Sequence, residues 1–131
     1  MCSSDLKRAE SAVNAYVRLR DADKSCISCG TQGPALWQAG HYLSVGARPE
    51  LRFDTSNIHR QCVHCNMHKA GNVTLYRIEL VKRIGVTAVE ALEGPHPPLK
   101  LSIDDLAQLH DDYRAMYKRL IMYKSIALMP L

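Results

Sequence analysis

The sequence predicts an α+β fold, mostly helical, with a small zinc-stabilised ββα centre between helical flanks. Three observations predict it. Two Cys-x-x-Cys pairs, Cys26/Cys29 in "CISCG" and Cys62/Cys65 in "QCVHC", bracket an interval of 32 residues. That interval reads as short extended segments broken by Gly and Pro. On either side of it, apolar residues return every three or four positions, the helical period.

The elements follow in order. Over residues 5–20, Leu6, Ala9, Val13, Tyr16 and Val17 share one face of an amphipathic helix. A polar connector, 21–25, leads into the first cysteine pair. "TQGPA" (31–35) turns the chain, and 36–45, "LWQAGHYLSV", reads as a partly buried strand. After a loop at 46–50, "LRF" (51–53) is the expected return strand. "DTSN" (54–57) supplies turn and cap residues. A short helix is expected from near Cys62 to Gly71-Asn72.

Val73, Tyr76, Leu80 and Ile84 then define an amphipathic helix, with Glu79 and Arg83 as an i,i+4 pair and Gly85 as its end. Thr87 and Glu90 sit at capping-box spacing for another short helix. "EGPHPP" (93–98) breaks the chain. Ile103, Leu106, Leu109, Tyr113, Met116, Leu120 and Tyr123 step along a final helix, whose Leu/Tyr/Met stripe reads as core or a dimer surface. Asp104 and Asp105 at its start and Lys118, Arg119 and Lys124 near its end suit the helix dipole. The expected organisation is one domain: an N-terminal helix in 1–25, a clamped core in 26–72, and packing helices in 73–131.

Composition narrows the function class. A chain of 131 residues can bury a core, though not one that makes a metal staple superfluous. Hydrophobic residues at 47% exclude wholesale disorder, and a net charge of +4 fits a nucleic-acid partner without requiring one. No apolar run approaches the roughly 20 residues of a membrane span, and the N-terminus has no signal-like apolar stretch. The expectation is a cytoplasmic protein without a membrane partner, where thiols stay reduced unless a metal takes them. Five cysteines leave Cys2 over as a free thiol.

Four thiolates in two knuckles make a closed tetrahedral zinc shell, structural because it leaves no position for substrate. Such an ion ties the entry of the first strand to the helix after the second, and binding of about 10–16 kcal/mol is large beside the core of so small a unit. Inside the clamp lie His41, Asn57, Asn66 and His68. Arg48, Arg52, Arg60 and Lys69 surround them in sequence as candidate phosphate contacts. Tyr42 and Trp37 are candidates for stacking on a base, with core packing the better reading for Trp37. His59 and His64 read as solvated or DNA-facing.

The set "CISCG…AGHY…NIHRQCVHCNMHK" resembles the HNH, or ββα-metal (His-Me finger), nucleases. "AVNAYVRLRDADKSCISCGT", "LRFDTSNIHRQCVHCNMHKAGN" and "YRIELVKRIGVTAVE" are more narrowly similar to the NinG (Rap) recombination endonucleases of lambda-like phages, over roughly residues 11–95. The last helix shares only the family's general character, and the resemblance does not extend to the Cys-rich basic N-terminal extension of longer members. The resemblance implies a DNA endonuclease acting on branched intermediates such as Holliday junctions and D-loops, in the bacterial host and encoded by phage or prophage. His41 would be the general base; histidine titrates near neutrality and suits that task. Asn57 would brace the hairpin loop. Asn66, with His68, would hold a catalytic Mg²⁺ or Mn²⁺, while zinc stays out of the chemistry.

Two departures stand out. HNH proteins often carry Asp or His just before the base, where this chain has Gly40. The Asp-x-Gly-His variant places an acid at the position of Gln38. An ion here would rely on Asn66, waters, and help from His68 or Asp54. Partners implied are branched DNA, a second copy of the chain for cutting both strands, and phage or host recombination proteins. The alternatives are a catalytically inactive zinc module for nucleic acid or protein, and an HNH endonuclease on linear duplex DNA.

Overall fold

A computed structural model gives the architecture and describes residues 3–129. Cys2 lies outside the described residues. Helix α1 (Ser3–Arg20) leads into the first cysteine knuckle, and strand β1 (Trp37–His41) follows. Strand β2 (Ile58–Cys62) runs antiparallel to it, with Trp37 opposite Cys62, Gly40 opposite His59 and His41 opposite Ile58. A five-residue π-helical turn, His64–His68, carries the rest of the second knuckle. Helices α2 (Val73–Ile84), α3 (Val86–Glu93) and α4 (Ile103–Ala127) complete the chain. It is a mixed fold, mostly helical, around a two-stranded sheet.

Three expectations need correction. "LRF" does not return as a strand: Pro49–Leu51 is a 3₁₀ turn, and Leu51 buries itself from it. The partner of β1 is Ile58–Cys62, so the second knuckle begins on a strand, and the helix expected from Cys62 shrinks to the π-helical turn. Strand β1 is also shorter than 36–45 and stops at His41. The cap of α3 differs too. Thr87 lies inside the helix, and Gly85, at φ +90°, supplies the left-handed corner between α2 and α3.

The flanking helices form as their periodicity predicts. In α1, Val13 and Val17 are fully buried against Ile58 of β2, with Leu109 and Tyr113 of α4 packed on the same cluster. Full burial of such side chains contributes about 1.5–3 kcal/mol each. Tyr76 and Leu80 of α2 join Ile27, Tyr42, Leu51, Val89 and Leu92 in a second core. α4 starts on a capping box in which Ser102 and Asp105 satisfy each other's backbone N–H groups. Much of its second half is uncovered, with Met122, Tyr123 and Ile126 exposed.

The end of α1 is pinned to β2 by charge. Asp21, 1% exposed, accepts from Arg20 Nε and Nη2 at 2.8 and 3.0 Å and from the Arg60 backbone N–H at 3.0 Å. Arg20 also donates to the Thr55 and Ile58 carbonyls. Burial opposes the Asp21 charge, but these donors win and hold its carboxyl below the ordinary range. The residue read as part of a polar connector is therefore a buried tie between helix and strand.

Candidate functional site

The four knuckle cysteines converge. Their sulfurs all lie within 4.8 Å of one another, with Cys29 and Cys62 Sγ 3.8 Å apart. Tetrahedral coordination at Zn–S of about 2.3 Å requires S–S edges of roughly 3.8 Å, so the donor set fits one structural zinc. The local backbone builds each knuckle by turning amides inward: Gly30 N–H reaches the Cys26 carbonyl, and Gly71 N–H reaches that of Cys65. Burial resists ionisation of Cys26, yet backbone N–H groups of Cys62, Cys29 and Ser28 outweigh it and bring the thiol to about 7. Burial, reinforced by the neighbouring thiols, pushes Cys65 up to about 12. Four such sulfurs become thiolates together only beside a cation, which is the role a zinc ion would fill.

Trp37 packs against this cluster, and the Arg60 guanidinium lies 3.6 Å over its ring. Arg60 Nη1 also donates to the carbonyls of Asp21, Ala22 and Lys24. Arg60 is thus a clasp beside the zinc knuckles, engaged within the fold.

His41 ends β1. Its Nε2–H donates to the Arg52 carbonyl at 2.9 Å, which fixes the ring and leaves Nδ1 outside that bond. Asn57 is fully buried and clamps the loop that follows: it accepts from Leu43 N–H and donates to the Leu43 carbonyl, both at 3.0 Å. Its own carbonyl accepts from Tyr42 N–H at 2.8 Å. The side chain thereby fixes the backbone two residues beyond His41.

An open cleft of ≈ 540 Å³ brings His41 together with Asn66, bounded by Leu43, Val45, Gly71 and Val73. Asn66 Nδ2 donates to Gln38 Oε1 at 2.6 Å, which leaves Asn66 Oδ1 available as an acceptor. Gly40 has a steric reason to be glycine. A Cβ there would meet Gln61 Oε1 at 2.0 Å, and Gln61 is held by its bonds to Ser28 Oγ and the Gly71 carbonyl. No carboxylate among the described residues lines the cleft. Magnesium and manganese sites are built on carboxylate and phosphate oxygen. The neutral amides of Asn66 and Gln38 do not by themselves fit a tightly held divalent ion.

His68 is exposed and tilts against His64 at 6.0 Å, outside the residues that bound the cleft. Asp54, the other helper, caps a second 3₁₀ turn, Thr55–Asn57, by accepting from Ser56 N–H. Arg48 donates to the Glu93 and Gly94 carbonyls at 2.7 Å and ties the loop to the end of α3. Arg52 faces Glu10 at 3.4 Å. Lys69 is exposed on the turn after the π-helix. Of the four basic candidates, three are therefore engaged inside the fold and Lys69 alone faces solvent freely among the contacts described.

His59 and Tyr42 differ from their expected places. His59 is 5% exposed, 3.3 Å from the Tyr76 hydroxyl, which itself donates to the Gly40 carbonyl at 2.7 Å. Burial, then the Arg20 charge, pulls its pKa down to about 4, so it is a neutral core group. Tyr42 packs on Tyr76 and donates to Glu93, which also takes a two-pronged contact from Arg77. Sequence reasoning missed Gln38 as the partner of Asn66, Gln61 as the reason for Gly40, and the Arg52 carbonyl as the anchor of His41. The last is a backbone atom and carries no side-chain signature.

The family model described as Bacteriophage Lambda NinG protein matches residues 3–122. This chain belongs to the NinG family. It is 46% identical over 115 residues to protein ninG of Salmonella phage P22, covering 88% of this chain and 57% of that protein. Protein ninG of Escherichia phage lambda is 47% identical over 115 residues, with 88% and 56% covered. Protein ninG of Enterobacteria phage H19B is 51% identical over 100 residues, with 76% and 50% covered. The chain thus spans about half the length of these relatives. No solved structure matches it. No described helix is long and apolar enough to cross a membrane.

Proposed function

We propose that this NinG chain carries the active site of an HNH-type, structure-specific endonuclease that hydrolyses phosphodiester bonds in branched DNA such as Holliday junctions and D-loops. One observation carries the reading. His41, oriented through Nε2 by the Arg52 carbonyl, lines the same cleft as Asn66 at the end of a hairpin whose loop Asn57 braces. An imidazole with one nitrogen tied to a carbonyl and the other free is built to accept a proton.

In this mechanism, Nδ1 of His41 takes a proton from water as the oxygen attacks phosphorus. The 3′ oxygen leaves and is protonated from solvent, giving 5′-phosphate and 3′-hydroxyl ends. Asn66 Oδ1 and Lys69 orient the phosphate and its hydration shell. Asn57 positions His41 through the loop backbone and does not touch substrate. Cys26, Cys29, Cys62 and Cys65 would hold a zinc ion, which would tie the hairpin to the π-helical turn and supply no chemistry of its own. Selection of branched DNA rests on shape and backbone charge, so affinity falls steeply with salt. A pair of chains would supply the two cuts that resolving a junction needs, in the host cytoplasm alongside other recombination proteins.

A second reading, a zinc module that binds branched nucleic acid without cutting, is favoured by one observation: Asn66 Nδ2 donates to Gln38 Oε1 where a carboxylate ligand is missing. The two readings separate when junction binding by fluorescence anisotropy is measured beside strand cleavage, with Mg²⁺, Mn²⁺ or EDTA. Binding with cleavage supports the nuclease. Binding without cleavage under all three conditions refutes it.

A further inference from the structure

A groove of ≈ 360 Å³ runs between α1 and α4, and none of the residues that bound it bounds the His41 cleft. Its floor is apolar. Ala12 and Ala15 of α1 carry only a methyl group into the space between the helices, and Tyr117 and Ile121 of α4 form the opposite wall. Ile121 stays 41% exposed, so the groove leaves apolar surface in water. Covering such surface with an apolar side chain is favourable, and an apolar groove with a polar rim is the form that interaction sites take.

The rim is cationic. Arg8, Arg114 and Lys118 bound the groove, all three are exposed, and no carboxylate bounds it with them. None of the three makes an ion pair or a side-chain hydrogen bond among the described residues. Arg20, Arg48, Arg52 and Arg60, by contrast, are all engaged within the fold. Asp5 and Asp111 line the adjoining cavity, but Asp111 is bonded to His110 and neither carboxylate pairs with Arg8. The helix dipole does not account for these charges. Its pull on cations is confined to the last turn, and Arg8 and Arg114 lie in the body of α1 and α4.

We propose that this groove docks an acidic amphipathic peptide segment of a partner protein. The segment's carboxylates meet Arg8, Arg114 and Lys118, and an apolar side chain enters between the helices over Ala12 and Ala15. A nucleic-acid strand would satisfy the same cations, but its phosphodiester backbone offers the alanine floor no apolar group. A segment that carries acid and apolar side chains together matches both parts of the groove. The site stands independently of whether the His41 cleft cuts DNA.

The test is a random-peptide phage-display selection against the zinc-loaded protein, followed by fluorescence anisotropy of a selected peptide at about 0.15 M salt, where charges more than about 8 Å apart are screened. The selected sequences should combine several Asp or Glu with a large apolar residue. Arg114→Gln/Lys118→Gln should weaken the peptide about fivefold or more, as loss of two exposed charge pairs implies. Lys24→Gln/Lys100→Gln removes the same charge away from the groove and should leave affinity within about twofold. All four side chains are exposed, so both variants keep the fold. Exchanging the peptide's apolar residue for Ser should weaken binding as well, as a role for the floor requires. Selected peptides without acidic enrichment, equal losses in the two double variants, or indifference to the Ser exchange would overturn the proposal. A single-stranded oligonucleotide that binds more tightly than the peptide, and through Arg114 and Lys118, would overturn it in favour of nucleic acid.

Discussion

Replacing Asn57 by Ala tests the bracing of the His41 hairpin. The Asn57 side chain is wholly buried and makes two 3.0 Å bonds to Leu43, one to its N–H and one to its carbonyl. Truncation leaves both backbone groups without partners. Each stranded group costs about 1–3 kcal/mol, so the expected loss is about 2–6 kcal/mol. A domain of this size has roughly 5–15 kcal/mol in total, so the variant should fold but be visibly weaker. Urea unfolding of zinc-loaded protein reads this as a midpoint lowered by about 1–3 M, at a slope near 2 kcal/mol/M. Asn66→Ala is the control, because Asn66 is half-buried and loses one bond to Gln38, worth about 1 kcal/mol. Asn57→Ala should also slow cleavage, since the backbone next to His41 loses its anchor. A stability within about 0.5 kcal/mol of wild type would refute the bracing role, because surface changes alone give that much.

Three further outcomes are expected. One zinc per chain should appear by native mass spectrometry, and Cys65→Ser should remove it and abolish cooperative unfolding, since about 10–16 kcal/mol of binding supports the clamp. His59, at about 4, lies below the ordinary value of 6.5, so the unfolded chain takes up the proton first as pH falls. Stability should therefore be full above about pH 6.5 and decline towards pH 4 by up to about 3 kcal/mol; His59→Gln should flatten that decline in urea titrations at several pH values. Gln38→Asp puts a carboxylate beside Asn66 and should tighten Mn²⁺ binding about tenfold or more by calorimetry; unchanged binding would show that position 38 does not face the ion.

The parts of this fold that follow a single periodic rule were legible in the sequence. α2 runs over Val73–Ile84 as its spacing implies, and the Glu79–Arg83 pair forms at 3.3 Å. The cysteine cluster follows from spacing alone, because two-residue gaps let both sulfurs of a knuckle reach one ion. Strand β2 was hidden for a physical reason. "IHRQC" has no apolar alternation, yet His59 and Gln61 are buried through hydrogen bonds to Tyr76, Ser28 and Gly71. "LRF" looked like a strand because Leu51 buries itself; it does so from a 3₁₀ turn. The arginines Arg48 and Arg60 read as phosphate ligands, but their acceptors are carbonyls some 36–46 positions away. Pairings of that range leave no local trace.

The most direct measurement is cleavage of an end-labelled four-way junction and a matched linear duplex by wild type and His41→Ala. The account predicts that wild type cuts the junction in preference to the duplex, leaving 5′-phosphate ends. His41→Ala should bind the junction with unchanged affinity and lose cutting by about a hundredfold or more, the size of a general-base contribution. Equal cutting by both proteins, or junction binding with no cutting by either, would contradict the assignment of His41 as the base.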